Sequence, residues 1–229
     1  MRWLALVVLA LVPRCSRGHA SVGARGDETA HVAPSAQAKT DSQWSAWTIT
    51  DPDDLAIYRT LIETFFMQAG TARVVVERWA DAIACTPAEG RARELSPKIP
   101  SVTAEMFADC ERRQNGRFPD DLGLRVPTIL LDRGDLDSLH KESRAATHWG
   151  ADGFFARYPS SSGLLRFSRI GYSADKQKAV VLVERSYPGE RALWAALRRD
   201  GKDWRVAEKL EYPPGERTRG TPQQPEDTR

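Results

Sequence analysis

Residues 164–212 read LLRFSRIGYSADKQKAVVLVERSYPGERALWAALRRDGKDWRVAEKLEY, and the punctuation of this stretch decides the fold. Four runs of strand length, 164–172, 177–186, 191–199 and 204–212, are rich in β-branched, aromatic and aliphatic residues. Between them lie Ser173-Ala174-Asp175-Lys176, Pro188-Gly189 and Asp200-Gly201. The last two are tight-turn dipeptides, so consecutive strands are expected to pair antiparallel as a meander.

The residues upstream supply what covers such a sheet. Asp51-Pro52-Asp53-Asp54 is a helix start, with a capping carboxylate, proline in the first turn and two further acids at the positive end of the dipole. Leu55, Tyr58, Leu61, Ile62 and Phe65 recur at helical spacing and Gly70 offers a stop. Residues 71–79 (TARVVVERW) read as a strand, 86–100 as a loop bearing proline and arginine, and 101–114 as a second helix closed by Asn115-Gly116. The expected fold is α+β: an antiparallel four- or five-stranded β-meander with two or three helices on one side, since the apolar stripe on 55–65 needs a sheet face. A long helix against a curved sheet is similar to the NTF2-like or cystatin-like architecture. Likeness of fold assigns no activity.

Trp149, Phe154, Tyr158-Pro159, Gly163, Phe167-Ser168-Arg169-Ile170-Gly171-Tyr172, Gln177, Ala179 and Gly201-x-x-Trp204 together resemble a family of uncharacterised exported bacterial proteins with a C-terminal FSRxGY meander. The likeness implies export and a shared β-meander. Its residues determine shape, and it implies no activity.

Both ends read as dispensable to the fold. Met1-Arg2 and the apolar run 3–12 (WLALVVLALV), followed by small residues at Gly18 and Ala20, form a signal peptide over 1–20. Cys15 raises lipidation as a second route, but Pro13-Arg14 is unlike the small residues that precede a lipidated cysteine, so cleavage after Ala20 is expected. Residues 21–43 read as a flexible tether, 44–212 as a single domain, and 213–229, with four prolines, as a disordered tail. In an oxidising compartment Cys85 and Cys110 read as a disulfide, with two unpaired buried thiols the alternative. The chain of 229 residues carries a formal charge of +2, but residues 1–20 hold Arg2, Arg14 and Arg17 and no acid, so the mature chain is at −1. Its basic residues are interspersed with acids, which argues against nucleic-acid binding. No run after residue 12 approaches the length of a membrane span.

Signatures of chemistry are scarce. The chain has no GxSxG, phosphate-binding glycine loop, HExxH or EF-hand pattern, so no catalytic residue or cofactor is assigned. Arg133-Gly134-Asp135 reads as a charged turn. Asp132, Asp135, Asp137, His140, Glu142, His148 and Asp152 gather ligand atoms at a spacing that fits no metal loop, and no metal is expected. With two-residue turns at 188–189 and 200–201, Glu184 faces Leu193 and Leu193 faces Glu208, placing two acids about 10 Å apart on an otherwise apolar face. Arg169 falls on the same face. Arg169, Glu184 and Glu208 are therefore the ligand-binding candidates, against the simpler reading that both acids reach water at the rim. Trp204 alternates with Val206, Leu210 and Tyr212 and reads as core; Trp44 and Trp47 read as anchors of the domain's N-terminal edge. Two functions follow: a non-catalytic exported domain that binds a partner or envelope component, or a small-ligand receptor or enzyme working on the inner sheet face.

Overall fold

In the computed structural model, which describes residues 47–145, 151–187 and 190–212 within the unit Asp41–Arg229, helix α1 (Pro52–Leu61) starts where its sequence dictates. The Asp51 carboxylate accepts the Asp53 N–H at 2.9 Å and Pro52 opens the first turn. The helix widens into a π-turn over Ile62–Phe66 before Gly70, at φ +91°, reverses the chain. The expected signal peptide, tether and tail lie outside the described residues, as do Cys15 and Trp44.

Among the described residues nine strands form one sheet: β1 (Trp47–Thr48), β2 (Arg73–Asp81), β3 (Gly116–Arg117), β4 (Thr128–Leu131), β5 (Ser161–Ser168), β6 (Gly171–Tyr172), β7 (Lys178–Ser186), β8 (Arg191–Asp200) and β9 (Asp203–Tyr212). The path runs β1-β3-β2-β5-β7-β8-β9, with β4 also on β2 and β6 also on β7. The sheet is mixed, because β2 lies parallel to both β4 and β5 while β5, β7, β8 and β9 pair antiparallel. This corrects the four- or five-stranded antiparallel sheet with helices on one side. Val74, Val75 and Val76 of β2 are all fully buried, and a strand apolar on both faces needs cover on both.

That cover comes in three pieces. On one face α1 and its π-turn bury Tyr58, Leu61 and Ile62 against Val181, Val183, Ala195 and Leu197. Tyr58, Phe118 and Phe167 pack edge-to-face at its centre, ring centroids 4.9 to 5.9 Å apart. On the opposite face α2 (Ala88–Leu95) and α3 (Ala104–Arg112) cover β7 to β9 around the buried Trp194. Beside them, α4 (Arg133–Ala145) and α5 (Ala151–Arg157) cover β2, β4 and β5 through a separate cluster of Val75, Leu131, Leu139, Phe154 and Leu164. The Cys85–Cys110 disulfide, with Cα atoms 6.0 Å apart, ties the segment before α2 to the end of α3. Helix α2 lies where a loop was expected; its buried stripe is Ala88, Arg91, Ala92 and Leu95, and with two alanines and an arginine in it the apolar signal is too small to stand out among charged residues.

Turn chemistry accounts for the register. Asp200 pairs with Asp203, so Gly201 and Lys202 form the β8–β9 turn, with Gly201 at φ +65°. Farther along, Leu197 pairs with Val206 but Ala196 with Glu208, so Ala207 is bulged and the faces of β9 exchange there. Trp204 is core as expected, at 3 % exposure, but it shares a cluster with Val206 and not with Leu210 and Tyr212. Trp47 is 68 % exposed; the edge is anchored by the β1 backbone on Gly116 and Arg117, not by the ring.

Candidate functional site

The Phe167–Tyr172 motif closes around Asp54, a residue of the α1 first turn that is only 1 % exposed. One Asp54 oxygen accepts the Tyr172 hydroxyl at 2.8 Å, the other accepts Nη2 of Arg169 at 3.1 Å, and Nη1 of Arg113 donates to both at 3.2 Å. Each oxygen thus has two donors, which fills the acceptor capacity of a carboxylate. Asp109 extends the network, accepting Nε of Arg113 at 3.1 Å and the Tyr172 N–H at 3.0 Å. Burial pushes the Asp54 carboxyl above the usual carboxylate range, against the pull of Arg113, the Tyr172 hydroxyl and Arg169.

The other letters of the motif hold this clasp in place. Ser168 accepts the Tyr58 hydroxyl through its carbonyl at 2.9 Å and the Leu182 N–H through Oγ at 2.9 Å. Those bonds serve the break between β5 and β6, where Arg169 turns toward Asp54. Arg169 gets there by crossing Gly116: a Cβ on that glycine would lie 1.9 Å from Nη1 of Arg169. Gly171 has the same function against α3, since a Cβ there would lie 1.9 Å from the Met106 carbonyl oxygen. Asp54 and Arg113 went unassigned in the sequence, although an acid in the first turn of an otherwise apolar helix face was the available signal.

The three expected ligand-binding residues are not brought together. Arg169 is committed to Asp54 on the α1 side of the sheet. Glu184 and Glu208 both face the α2–α3 side, but Glu184 pairs with Ala192 and Glu208 with Ala196, one and three residues away from the expected partner Leu193. Two strands and two rows separate them, roughly 16 Å at the backbone. Glu208 accepts the Ser101 N–H at 3.3 Å and so serves the loop that enters α3.

Glu184 belongs to a different group. Across β2, β5 and β7 the row reads Glu77, Arg166, Glu184, with Arg166 directly opposite Glu184 and its Nε donating to Glu77. Asp81 lies within electrostatic reach of both Arg166 and Glu184. Burial raises the carboxyls of Asp81 and Glu184, and Arg166 opposes the shift in each case. Three carboxylates therefore share one arginine, whose side chain is 49 % exposed. The row lies between the α2–α3 cluster, which includes Leu182, and the α4–α5 cluster, which includes Val75 and Leu164. Ile83, 68 % exposed, lies two residues after Asp81, whose carboxylate accepts its N–H at 3.1 Å.

The acidic stretch after residue 131 has a helical explanation. Asp132 and Asp135 each accept the other's N–H at 3.1 Å, a reciprocal cap on α4 that also absorbs Arg133-Gly134-Asp135. His148 lies outside the described residues, among which no group of three or more His, Cys, Asp or Glu side chains is placed to hold a metal ion. Among the described residues no helix is long and apolar enough to cross a membrane. No family model, curated protein or solved structure matches the chain.

Proposed function

We propose that this chain is an exported, non-catalytic binding domain that recognises a partner of the bacterial envelope, after removal of residues 1–20 and with residues 21–43 as its tether. The observation that carries this reading is the contrast between its two carboxylate groups. Asp54 is filled by four hydrogen bonds and has nothing left to offer a substrate. Glu77, Asp81 and Glu184 have one arginine among them on a half-open sheet face, and no nucleophile or imidazole belongs to that row. Surplus negative charge with an exposed isoleucine beside it suits a cationic segment carrying an apolar residue. The Cys85–Cys110 disulfide and the resemblance of the FSRxGY motif to exported proteins support the compartment.

The test is binding of envelope proteins by the full mature chain, compared with Glu77→Gln/Glu184→Gln. A partner held by this row dissociates as salt rises from about 0.05 to 0.5 M and is lost by the double variant. Retention of the same partner by the double variant would refute the assignment.

A further inference from the structure

At the end of the sheet opposite Trp204, where the π-turn from one face and α5 from the other meet the ends of β5 and β7, a cavity of about 340 Å³ is lined by Phe65, Phe66, Phe155, Ser161, Ser162 and Arg185, among others. We propose that it binds a small organic carboxylate with an aromatic or aliphatic body. This goes beyond the envelope-partner reading and uses none of the residues of the Glu77–Arg166–Glu184 row.

Unspent polar groups point to a ligand. Oγ of Ser161, Oγ of Ser162 and Nε of Arg185 are all buried without a hydrogen-bond partner, and all three residues line this cavity. Buried donors of this kind are ordinarily satisfied, so three around one cavity are groups that an acceptor entering it can meet. Arg73, paired with Ser161 across β2 and β5, contributes a further orphan Nε beside it. No acidic side chain is among the described lining residues, and the groups acting on Arg185 are its β8 neighbour Arg191 and, from β9, Glu211. Glu211 is itself bonded to Lys209 at 2.6 Å. Burial and the Arg191 charge both lower the Arg185 pKa, so an incoming anion finds a cation short of negative charge.

The backbone is shaped to present these groups. Gly163, at φ +101°, brings β5 so close to β7 that a Cβ would lie 2.0 Å from the Tyr187 carbonyl oxygen and 3.1 Å from Cγ of Arg185. Ser160, at φ +57°, lines the same cavity at the start of β5. The π-turn carries Phe65 and Phe66 to the facing wall, and π-turns recur where a helix is adapted to a site. A planar guanidinium with two hydroxyls matches a carboxylate, and the phenylalanine walls match an apolar body. The volume sits at the small end of ligand cavities, which sets the size class.

The probe is phenylacetate, titrated into the full disulfide-bonded chain by calorimetry or NMR, beside phenylacetamide and acetate. The expected Kd for phenylacetate is about 1 mM or tighter, ordinary for a ligand of about ten non-hydrogen atoms. Phenylacetamide and acetate should each bind at least about tenfold more weakly, the first for want of charge and the second for want of a body. Arg185→Met should weaken phenylacetate at least about tenfold while its Tm stays level or rises, because no ion pair is lost. Equal affinity for phenylacetamide, equal affinity for acetate, or no binding of phenylacetate at about 10 mM would each overturn the proposal. The two comparisons on the unaltered chain decide it even if Arg185→Met fails to fold.

Discussion

Removing Asp54 should destabilise the protein far more than removing any other carboxylate described above. In Asp54→Ala the guanidinium of Arg113, the guanidinium of Arg169 and the Tyr172 hydroxyl lose a common acceptor, in a place where Arg169 already has an unpartnered Nε. Removing one partner of a buried ion pair costs about 3 to 5 kcal/mol, because the remaining charge stays buried without compensation. Arg113 keeps Asp109 at 3.1 Å, so the penalty falls chiefly on Arg169 and Tyr172 and belongs near the lower end of that range. With a urea m-value of about 2 kcal/mol/M, a 3 kcal/mol loss moves the midpoint by roughly 1.5 M. The assay is urea unfolding of the mature, oxidised chain followed by far-UV circular dichroism. If stranded cations cause the loss, Asp54→Ala/Arg113→Met/Arg169→Met should recover at least half of it. A midpoint shift below about 0.5 M for Asp54→Ala, or no recovery in the triple variant, would refute the clasp.

Three further outcomes follow from particular contacts. Gly171→Ala should cost about 3 kcal/mol or more, above the usual range for overpacking, because the new methyl meets a helix carbonyl oxygen at 1.9 Å and α3 must move off β6; thermal unfolding checks it, and a cost under about 1 kcal/mol would contradict it. Reducing the Cys85–Cys110 disulfide, which closes 25 residues, should lower stability by about 3.5 kcal/mol on the chain-entropy account, measured as the difference in urea midpoint with and without a reductant. The raised carboxyls of Asp54, Asp81 and Glu184 bind protons more tightly when folded, so their contribution is full below the ordinary carboxylate range and is lost as pH rises through the raised values. Glu184→Gln should therefore gain more stability relative to the unaltered chain at pH 7 than at pH 4, and equal gains at both would contradict the shift.

The C-terminal strands and the first helix were legible because local chemistry is decisive there. Asp51 and Pro52 fix a helix start in any context, and glycine near residue 201 fixes a reversal. What the sequence could not convey was pairing over distance. Nothing in residues 73–81 says that β2 takes parallel neighbours from β4 and β5, although three consecutive valines were a hint that both faces are buried. The site reading failed for a related reason. A one-residue slip between β7 and β8, together with a β8–β9 turn placed one residue early and an overlooked bulge at Ala207 that shift the pairing there by three, put Glu184 and Glu208 in one row, and an odd-numbered error moves a side chain to the other face. Arg169 was read as a ligand-binding candidate, whereas its partner Asp54 is 115 residues away in sequence and only the folded chain joins them.

Specific recognition through the Glu77–Arg166–Glu184 row is the claim on which the functional account rests, and zero-length carbodiimide coupling tests it most directly. This chemistry joins a carboxylate to a lysine amine only where the two are in contact. Applied to the full mature chain in its native envelope and mapped by mass spectrometry, it should place the partner's lysine on Glu77, Asp81 or Glu184. Crosslinks confined to carboxylates elsewhere on the surface, with these three unmodified, would contradict the account.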